Sequence, residues 1–380
     1  MIYVHVPFCR SFCTYCDFYS EVAAKCRQNE SELFDAFAQA LYAEVKARGH
    51  EITDETNTLY IGGGTPSVLP LSVFKGLLDA LSEAGHGGPY EEFTVEVNPE
   101  DIVEKGEAYV EGLLKLGVNR ISMGVQSFDD GILKFMNRRH DADTARRAYA
   151  VLENAGVRNI SIDLIFGLPQ LSDEQWTDTL KKALEISPSG VLPQHISSYQ
   201  LSVEPGSMLA KLVERGRWEE ASEELCEHQY DMLCQALGDA GYSHYEISNF
   251  ARNGCISHHN LACWRGEDYY GLGPGAYGTI CSTRYRNTED TTAYIAALQA
   301  GRLPDFTTET ITPEDRRTEL LGLRLRTDEG LPPELLRPQD SKFVDMLVEE
   351  KLATLGAEGR LYLTLRGRLL ADEIAVQLLG

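Results

Sequence analysis

Over roughly its first 200 residues the chain alternates short β-rich runs with longer runs of helical periodicity, and this alternation restricts the fold more than any other feature. Strands are predicted over residues 2–6, 58–61, 92–97, 120–124, 159–165 and 195–201. Helices are predicted between them, over 30–48, 71–84, 106–116, 143–155 and 173–186. The last opens with Ser172 as a cap and Glu174 in its first turn, which suits the unpaired N–H groups and positive dipole of a helix start. Consecutive parallel strands need a crossover, which is usually a helix, so repeated strand–helix units predict a parallel sheet. Six such strands predict a barrel or a large part of one. Sites in such sheets form at the carboxyl ends of the strands.

The polar and glycine-rich motifs fall at those ends. They are a cysteine loop after Val6, Gly62-Gly63-Gly64-Thr65-Pro66 after the second run, Glu96 and Asn98 ending the third, Gln126 after the fourth, and Asp163 in the fifth. Beyond about residue 205 the pattern changes. A helix is predicted over 222–240, a strand over 242–247, and a glycine-dense stretch follows over 266–278. From 311 onward a small α+β unit is expected, with a helix over 313–325, a hairpin near 359–365 and a closing helix over 366–379. It resembles a winged-helix arrangement. The expected organisation is residues 1–205 as the main sheet-and-helix body, 206–310 as the segment that completes it, and 311–380 as the small C-terminal unit.

The 380 residues are 43% hydrophobic and carry a formal net charge of −23. Such a polyanion argues against nucleic acid or an anionic membrane as the main partner. No apolar run approaches the roughly 18 residues of a membrane-spanning helix, so an integral membrane protein is not expected. The chain opens without a basic segment leading into an apolar one, and no secretory signal is read from it. Its nine cysteines, an odd number, fit a reducing cytoplasm.

Cys9, Cys13 and Cys16 are spaced C-x3-C-x2-C. Three close thiolates can hold three irons of a cubane cluster and leave the fourth iron open to a small molecule. Electron-transfer clusters usually have four protein ligands, so three imply chemistry at the open iron. Zinc is the competing reading, with His5 as the nearby fourth ligand. The glycine run lets the backbone approach a ligand closely, but it lacks the Lys-Ser/Thr ending of a phosphate-binding loop. Asp163 has apolar residues on both sides, and a charge there needs a partner or a ligand. Glu96, at a strand end, can bind an ammonium or a ribose hydroxyl. Gln126 and Arg138 say less alone.

Taken together, six pieces resemble the coproporphyrinogen dehydrogenase-like branch of the radical S-adenosylmethionine superfamily. They are Tyr3-Val4-His5-Val6-Pro7-Phe8-Cys9, the cysteine triplet, Gly62 to Pro66, Ser122-Met123-Gly124-Val125-Gln126-Ser127, Asn137-Arg138-Arg139-His140 and Asp163-Leu164-Ile165-Phe166-Gly167-Leu168-Pro169. The similarity continues through Tyr245-Glu246-Ile247-Ser248-Asn249-Phe250-Ala251 and covers nearly the whole chain. The resemblance implies an α/β fold, a partial (β/α)6 barrel followed by the small C-terminal domain. It also implies a [4Fe-4S] cluster on Cys9, Cys13 and Cys16. S-adenosylmethionine would be bound by Tyr3, Gly63, Gly64, Thr65, Glu96, Gln126, Arg138 and Asp163.

Within this branch, dehydrogenases of coproporphyrinogen carry C-x3-C-x2-C-x-C and a longer N-terminal extension. Here Phe18 takes the fourth cysteine position and the chain starts just ahead of the first strand. The Cys16-Asp17-Phe18 ending and the 245–251 segment instead resemble the heme chaperones of the branch. These carry H-N-x-x-Y-W, which here reads His259-Asn260-Leu261-Ala262-Cys263-Trp264, with Cys263 in place of the tyrosine. The resemblance implies heme as a further ligand, a heme-accepting client protein, and an electron donor if the cluster turns over. His259 would ligate iron and Trp264 would offer a flat face, with neighbouring glycines letting a planar ligand approach. The competing reading is that both residues only pack the barrel edge. Decarboxylation of coproporphyrinogen, and radical methyl transfer that opens heme, are the alternative functions.

Overall fold

A computed structural model describes residues 1–22, 29–53 and 56–379. Its centre is a nine-stranded sheet. The strands are β1 (Ile2–Val6), β2 (Thr58–Gly63), β3 (Glu92–Val97), β4 (Arg120–Gln126), β5 (Ile160–Phe166), β6 (His195–Gln200), β7 (Ser243–Glu246), β8 (Asn249–Ala251) and β9 (Tyr270–Leu272). Their spatial order is β9-β1-β2-β3-β4-β5-β6-β8-β7. β1 to β6 run parallel in sequence order. This is the six-stranded partial barrel, with a parallel β9 added beside β1 and antiparallel β8 and β7 beyond β6.

Helices cover the sheet as the periodicity predicts. Glu30–Arg48, Leu71–Glu83, Ala142–Asn154 and Asp173–Leu184 lie within a few residues of their expected ranges. Each buries an apolar stripe, and Trp176 and Phe37 are fully buried in the main core. The helix expected over 106–116 is longer, running from Pro99 to Lys115 with a break at Gly106 (φ 68°). Its first half is set by Asn98, whose side chain accepts from the Glu100 N–H, and by Pro99 in the first turn.

The C-terminal residues pack around a second core that includes Leu321, Leu347, Leu361 and Ile374. The hairpin pairs Ala353–Leu355 with Leu361–Leu363, earlier than expected, because Glu358 (φ 66°) and Gly359 (φ 77°) form its turn. The closing helix is split at Leu370 into Leu365–Leu369 and Ala371–Leu379.

The glycine-dense stretch is not an open loop for a ligand. It contains β9, and a side chain at Gly278 would strike the ring of Tyr285. Gly273 (φ 95°) lies against the His5 carbonyl. The helix His258–Trp264 closes the end of the barrel where the strands begin. Glu92, the first residue of β3, accepts hydrogen bonds from the backbone N–H groups of His258 (2.7 Å) and His259 (3.2 Å) and from Ser257 Oγ (3.3 Å). We expect Glu92→Ala to lower unfolding stability by about 2 kcal/mol, since bonds to a charged acceptor are lost at a buried position. Urea unfolding read by circular dichroism would detect it, and an unchanged midpoint would show the helix to be held otherwise.

Candidate active site at the barrel mouth

The three cysteines lie in the loop that leaves β1, and the protein holds that loop by its backbone. Asn137 Nδ2 donates to the Phe12 carbonyl (2.6 Å), the Thr14 N–H to the Met136 carbonyl (3.1 Å), and Thr14 Oγ1 to the Phe135 carbonyl (3.2 Å). On the other side, the N–H groups of Gly64 and Thr65 donate to the carbonyls of Val6 and Phe8, both at 2.7 Å. A Cβ at Gly64 would stand 2.7 Å from the Phe8 oxygen, and one at Gly63 (φ 106°) would meet the His5 ring at 2.6 Å. These glycines therefore let the turn after β2 lie flat on the cysteine loop. Their N–H groups are spent within the protein, so any contact with a ligand ammonium comes from carbonyl oxygens, the acceptors an ammonium needs.

A cavity of about 410 Å3 opens beside this loop. Cys9, Cys13 and Cys16 line it together with Gly63, Gly64, Thr65, Glu96, Gln126, Arg138 and Asp163. All three cysteines are free and half-buried. Burial raises the thiol pKa of Cys9, and pushes that of Cys16 up to about 12. Metal loading at these positions therefore releases protons. Among the described residues no three His, Cys, Asp or Glu side chains converge on a single ion. A cubane places each thiolate on a different iron, so its ligands stand further apart than those of one ion, and the donor set fits it. The zinc reading loses its fourth ligand, because both ring nitrogens of His5 are engaged, by the Tyr3 hydroxyl (3.0 Å) and the Tyr19 carbonyl (2.7 Å).

The charged residues expected from the sequence converge here. Glu96 accepts from the Tyr60 hydroxyl (2.7 Å) and the Gly63 N–H (3.2 Å), and burial pushes its pKa up to about 7. Asp163 accepts from Ser122 Oγ (3.3 Å), and burial pushes it up to about 6. Arg138 donates to Cys13 Sγ (3.3 Å) and the Gly124 carbonyl (2.8 Å), while its buried Nε has no partner. Gln126 (φ 67°) sits at a bulge that breaks the register between β4 and β5. Bulges re-aim side chains near active sites. Thr65 Oγ1 lies 3.4 Å from Cys9 Sγ.

Three expected site residues lie elsewhere. Tyr3 does not line the cavity, because its hydroxyl is turned to His5 behind the glycine turn. His259 lies at the opposite end of the barrel, 4% exposed, with Nδ1 sharing a hydrogen bond with Thr58 Oγ1 (2.9 Å) and its ring 5.0 Å from that of Tyr60. Trp264 lies with the Arg326 guanidinium 4.8 Å from its ring. The resting structure thus presents neither an open imidazole at His259 nor a bare indole face. Cys263 is half-buried, and burial pushes its pKa up to about 11. The exposed imidazole of this segment is His258.

Tyr60, Arg120, Ser122 and Asn260, none of them assigned a role from the sequence, are among the other residues that line the cavity. Tyr60, between Leu59 and Ile61, carried the signal used for Asp163, a polar group inside an otherwise apolar strand.

The model of the radical SAM superfamily matches residues 3–183. The heme chaperone HemW of Mycobacterium tuberculosis (strain ATCC 25618 / H37Rv) is 33% identical over all of this chain and 94% of its own length. The heme chaperone HemW of Bacillus subtilis (strain 168) is 32% identical over all of this chain and 98% of its own. The chain belongs to the HemW family of radical SAM proteins. Coproporphyrinogen III oxidase (HemN) from Escherichia coli has the same fold, with a TM-score of 0.80 over 99% of this chain and 88% of its own at 23% identity. Radical SAM membership implies a [4Fe-4S] cluster and S-adenosylmethionine.

Replacing Cys9, Cys13 or Cys16 by Ala is expected to leave anaerobically reconstituted protein short of iron and sulfide and without the cluster's visible absorption. Full loading in all three variants would refute the assignment. Glu96→Ala and Asp163→Ala should each weaken S-adenosylmethionine binding on a folded barrel. Wild-type affinity in both, by calorimetry, would move the ligand away from the mouth.

Proposed function

We propose that this protein is a heme chaperone that carries a [4Fe-4S] cluster and S-adenosylmethionine, binds heme and delivers it to a client protein. The observation that carries this reading is the end-to-end similarity to heme chaperones. The departure at Phe18 supports it. Phe18 stands 64% exposed at the cavity edge, where a porphyrin dehydrogenase of this branch would carry its fourth cysteine. When bound, the cluster supplies reducing electrons at the barrel mouth, taken from an external donor if it turns over. In this reading Cys9, Cys13 and Cys16 hold the cluster, Arg138 steadies the Cys13 sulfur, and Glu96 and Asp163 present acceptors to S-adenosylmethionine. None of the described helices is long and apolar enough to cross a membrane, and we place the protein in the cytoplasm.

Heme would meet the segment His259 to Trp264. Iron ligation by His259 requires the helix His258–Trp264 to lift away from Thr58 and Glu92, because the imidazole is otherwise sealed from solvent. Two outcomes follow. His259→Ala should abolish the ligated Soret band, and heme loading of the wild type should speed amide exchange across the helix. If only His258→Ala changes the spectrum, iron binds from the solvent side without opening. Unchanged spectra in both variants and in Trp264→Ala would place heme elsewhere. Reconstituted protein should also form no protoporphyrinogen from coproporphyrinogen. Turnover on the order of 1 per second, an ordinary enzymatic rate, would establish an oxidoreductase instead.

A further inference from the structure

Arg120 opens β4 on the inner face of the barrel and is 1% exposed. Its Nε and Nη1 have no hydrogen-bond partner, yet the side chain lines the same cavity as the cysteines. A buried cation with two unbonded nitrogens is costly, and the carboxylates that face it are Glu92 and Asp163. Along β4, Arg120 and Ser122 share one face, about 6.6 Å apart for one pleat repeat. Ser122 Oγ in turn donates to Asp163. The other cation facing Asp163 is Arg138, and Cys13 and the Gly124 carbonyl already occupy it. The other carboxylate facing Arg120 is Glu92, whose oxygens accept from the N–H groups of His258 and His259 and from Ser257.

We infer that Arg120 is a positioning residue for S-adenosylmethionine, a counter-ion shared between Glu92 and Asp163 that lets Asp163 meet the ligand as a carboxylate. The inference rests on the placement of S-adenosylmethionine at the barrel mouth. Asp163 titrates near pH 6 because burial opposes its charge, and Arg120 is the largest opposing influence, ahead of Ser197, Ser122 and Arg138. Glu96 also faces the cavity, beside Tyr60, Asp163, Gly63 and Arg120, and titrates near pH 7. The remaining groups facing Arg120 stay neutral across this range. His195 and His259 are held far below neutrality, and Tyr60 and Tyr245 far above it, in each case chiefly by burial.

The sign follows directly. A ligand that needs the ionised carboxylate binds in proportion to the ionised fraction of the free protein. Affinity therefore falls as pH drops through the carboxylate's pKa. Removing a nearby opposite charge raises a carboxylate pKa by about one unit or more. The loss of affinity then begins at higher pH.

The test is calorimetric titration of the cluster-loaded, full-length protein with S-adenosylmethionine from about pH 5.5 to about pH 9, for wild type, Arg120→Gln, Arg120→Met and Arg120→Lys. The ligand's own amino group titrates alike in all four and cancels in the comparison. The neutral variants should bind about five-fold more weakly near pH 6, for a shift of about one unit, and converge on wild type by about pH 9. Arg120→Lys should keep the wild-type midpoint. Equal weakening at every pH, or an unmoved midpoint in the neutral variants, would overturn the inference. If neither neutral variant folds, Arg120→Lys decides: a wild-type midpoint supports the counter-ion role and a raised one refutes it. Asp163→Asn separates the two readings. If it binds S-adenosylmethionine as wild type does, the placement of the ligand has failed, whatever Arg120 does.

Discussion

Charge taken out of water must be answered, and the interior of this barrel is arranged around that demand. Glu96, Asp163 and Arg120 stand on the inner face of the parallel sheet with Arg138 beside it, and their inward neighbours Tyr60, Ser122 and Ser197 are polar too, while apolar strand residues such as Val95, Met123 and Ile162 belong to the main core. Hydrogen bonds from Tyr60, Ser122 and the Gly63 N–H hold the two carboxylates in place without neutralising them. A cationic sulfonium ligand entering from the mouth therefore finds acceptors already oriented, with their desolvation cost met by the folded protein. Such pre-organisation is what a site loses when any supporting residue is removed.

The cluster loop answers a different demand. A loop carrying three ligands must keep one shape with and without its metal, yet it has almost no regular structure of its own. Neighbouring strands and turns supply the constraint. The glycine turn after β2 packs on one side, and the Asn137-Arg138-Arg139-His140 motif on the other. In that motif Asn137 grips the loop backbone and Arg138 reaches Cys13. Arg139 pairs with Asp101 (3.2 Å), and His140 bonds to the Val125 carbonyl (3.0 Å). Four consecutive residues thus tie the loop, a helix and a strand to one another. A scattered set of motifs in the sequence becomes one bracket in space.

Six strands and the helices between them were legible because hydrophobic periodicity records burial, and every one of these elements buries a face. The mouth residues were legible because chemistry falls at strand ends in a parallel sheet. The short strands β8 and β9 were not, since three-residue strands carry too little pattern. Arg120 escaped because a charge at the first position of a strand reads as solvent-facing until a helix is known to cover that end. The same helix explains the heme segment. Nothing in His259-Asn260-Leu261-Ala262-Cys263-Trp264 reveals that Glu92, more than 160 residues earlier, will cap it and turn His259 inward.

That helix also joins the two ends of the barrel. His259 packs on Tyr60, and Tyr60 donates to Glu96 at the mouth. Asn260, the next residue, lines the cavity that the cysteines border. A ligand that draws the helix outward must remove Asn260 from the cavity floor and free one face of Tyr60. Occupancy of the mouth, conversely, steadies Tyr60 through Glu96 and so steadies the surface against which His259 rests. Any free energy that one ligand spends on this helix is felt by the other to the same extent, because coupling between two binding equilibria is reciprocal. In the heme reading proposed above, ligands at the two ends of the barrel would both bear on one short helix across its floor.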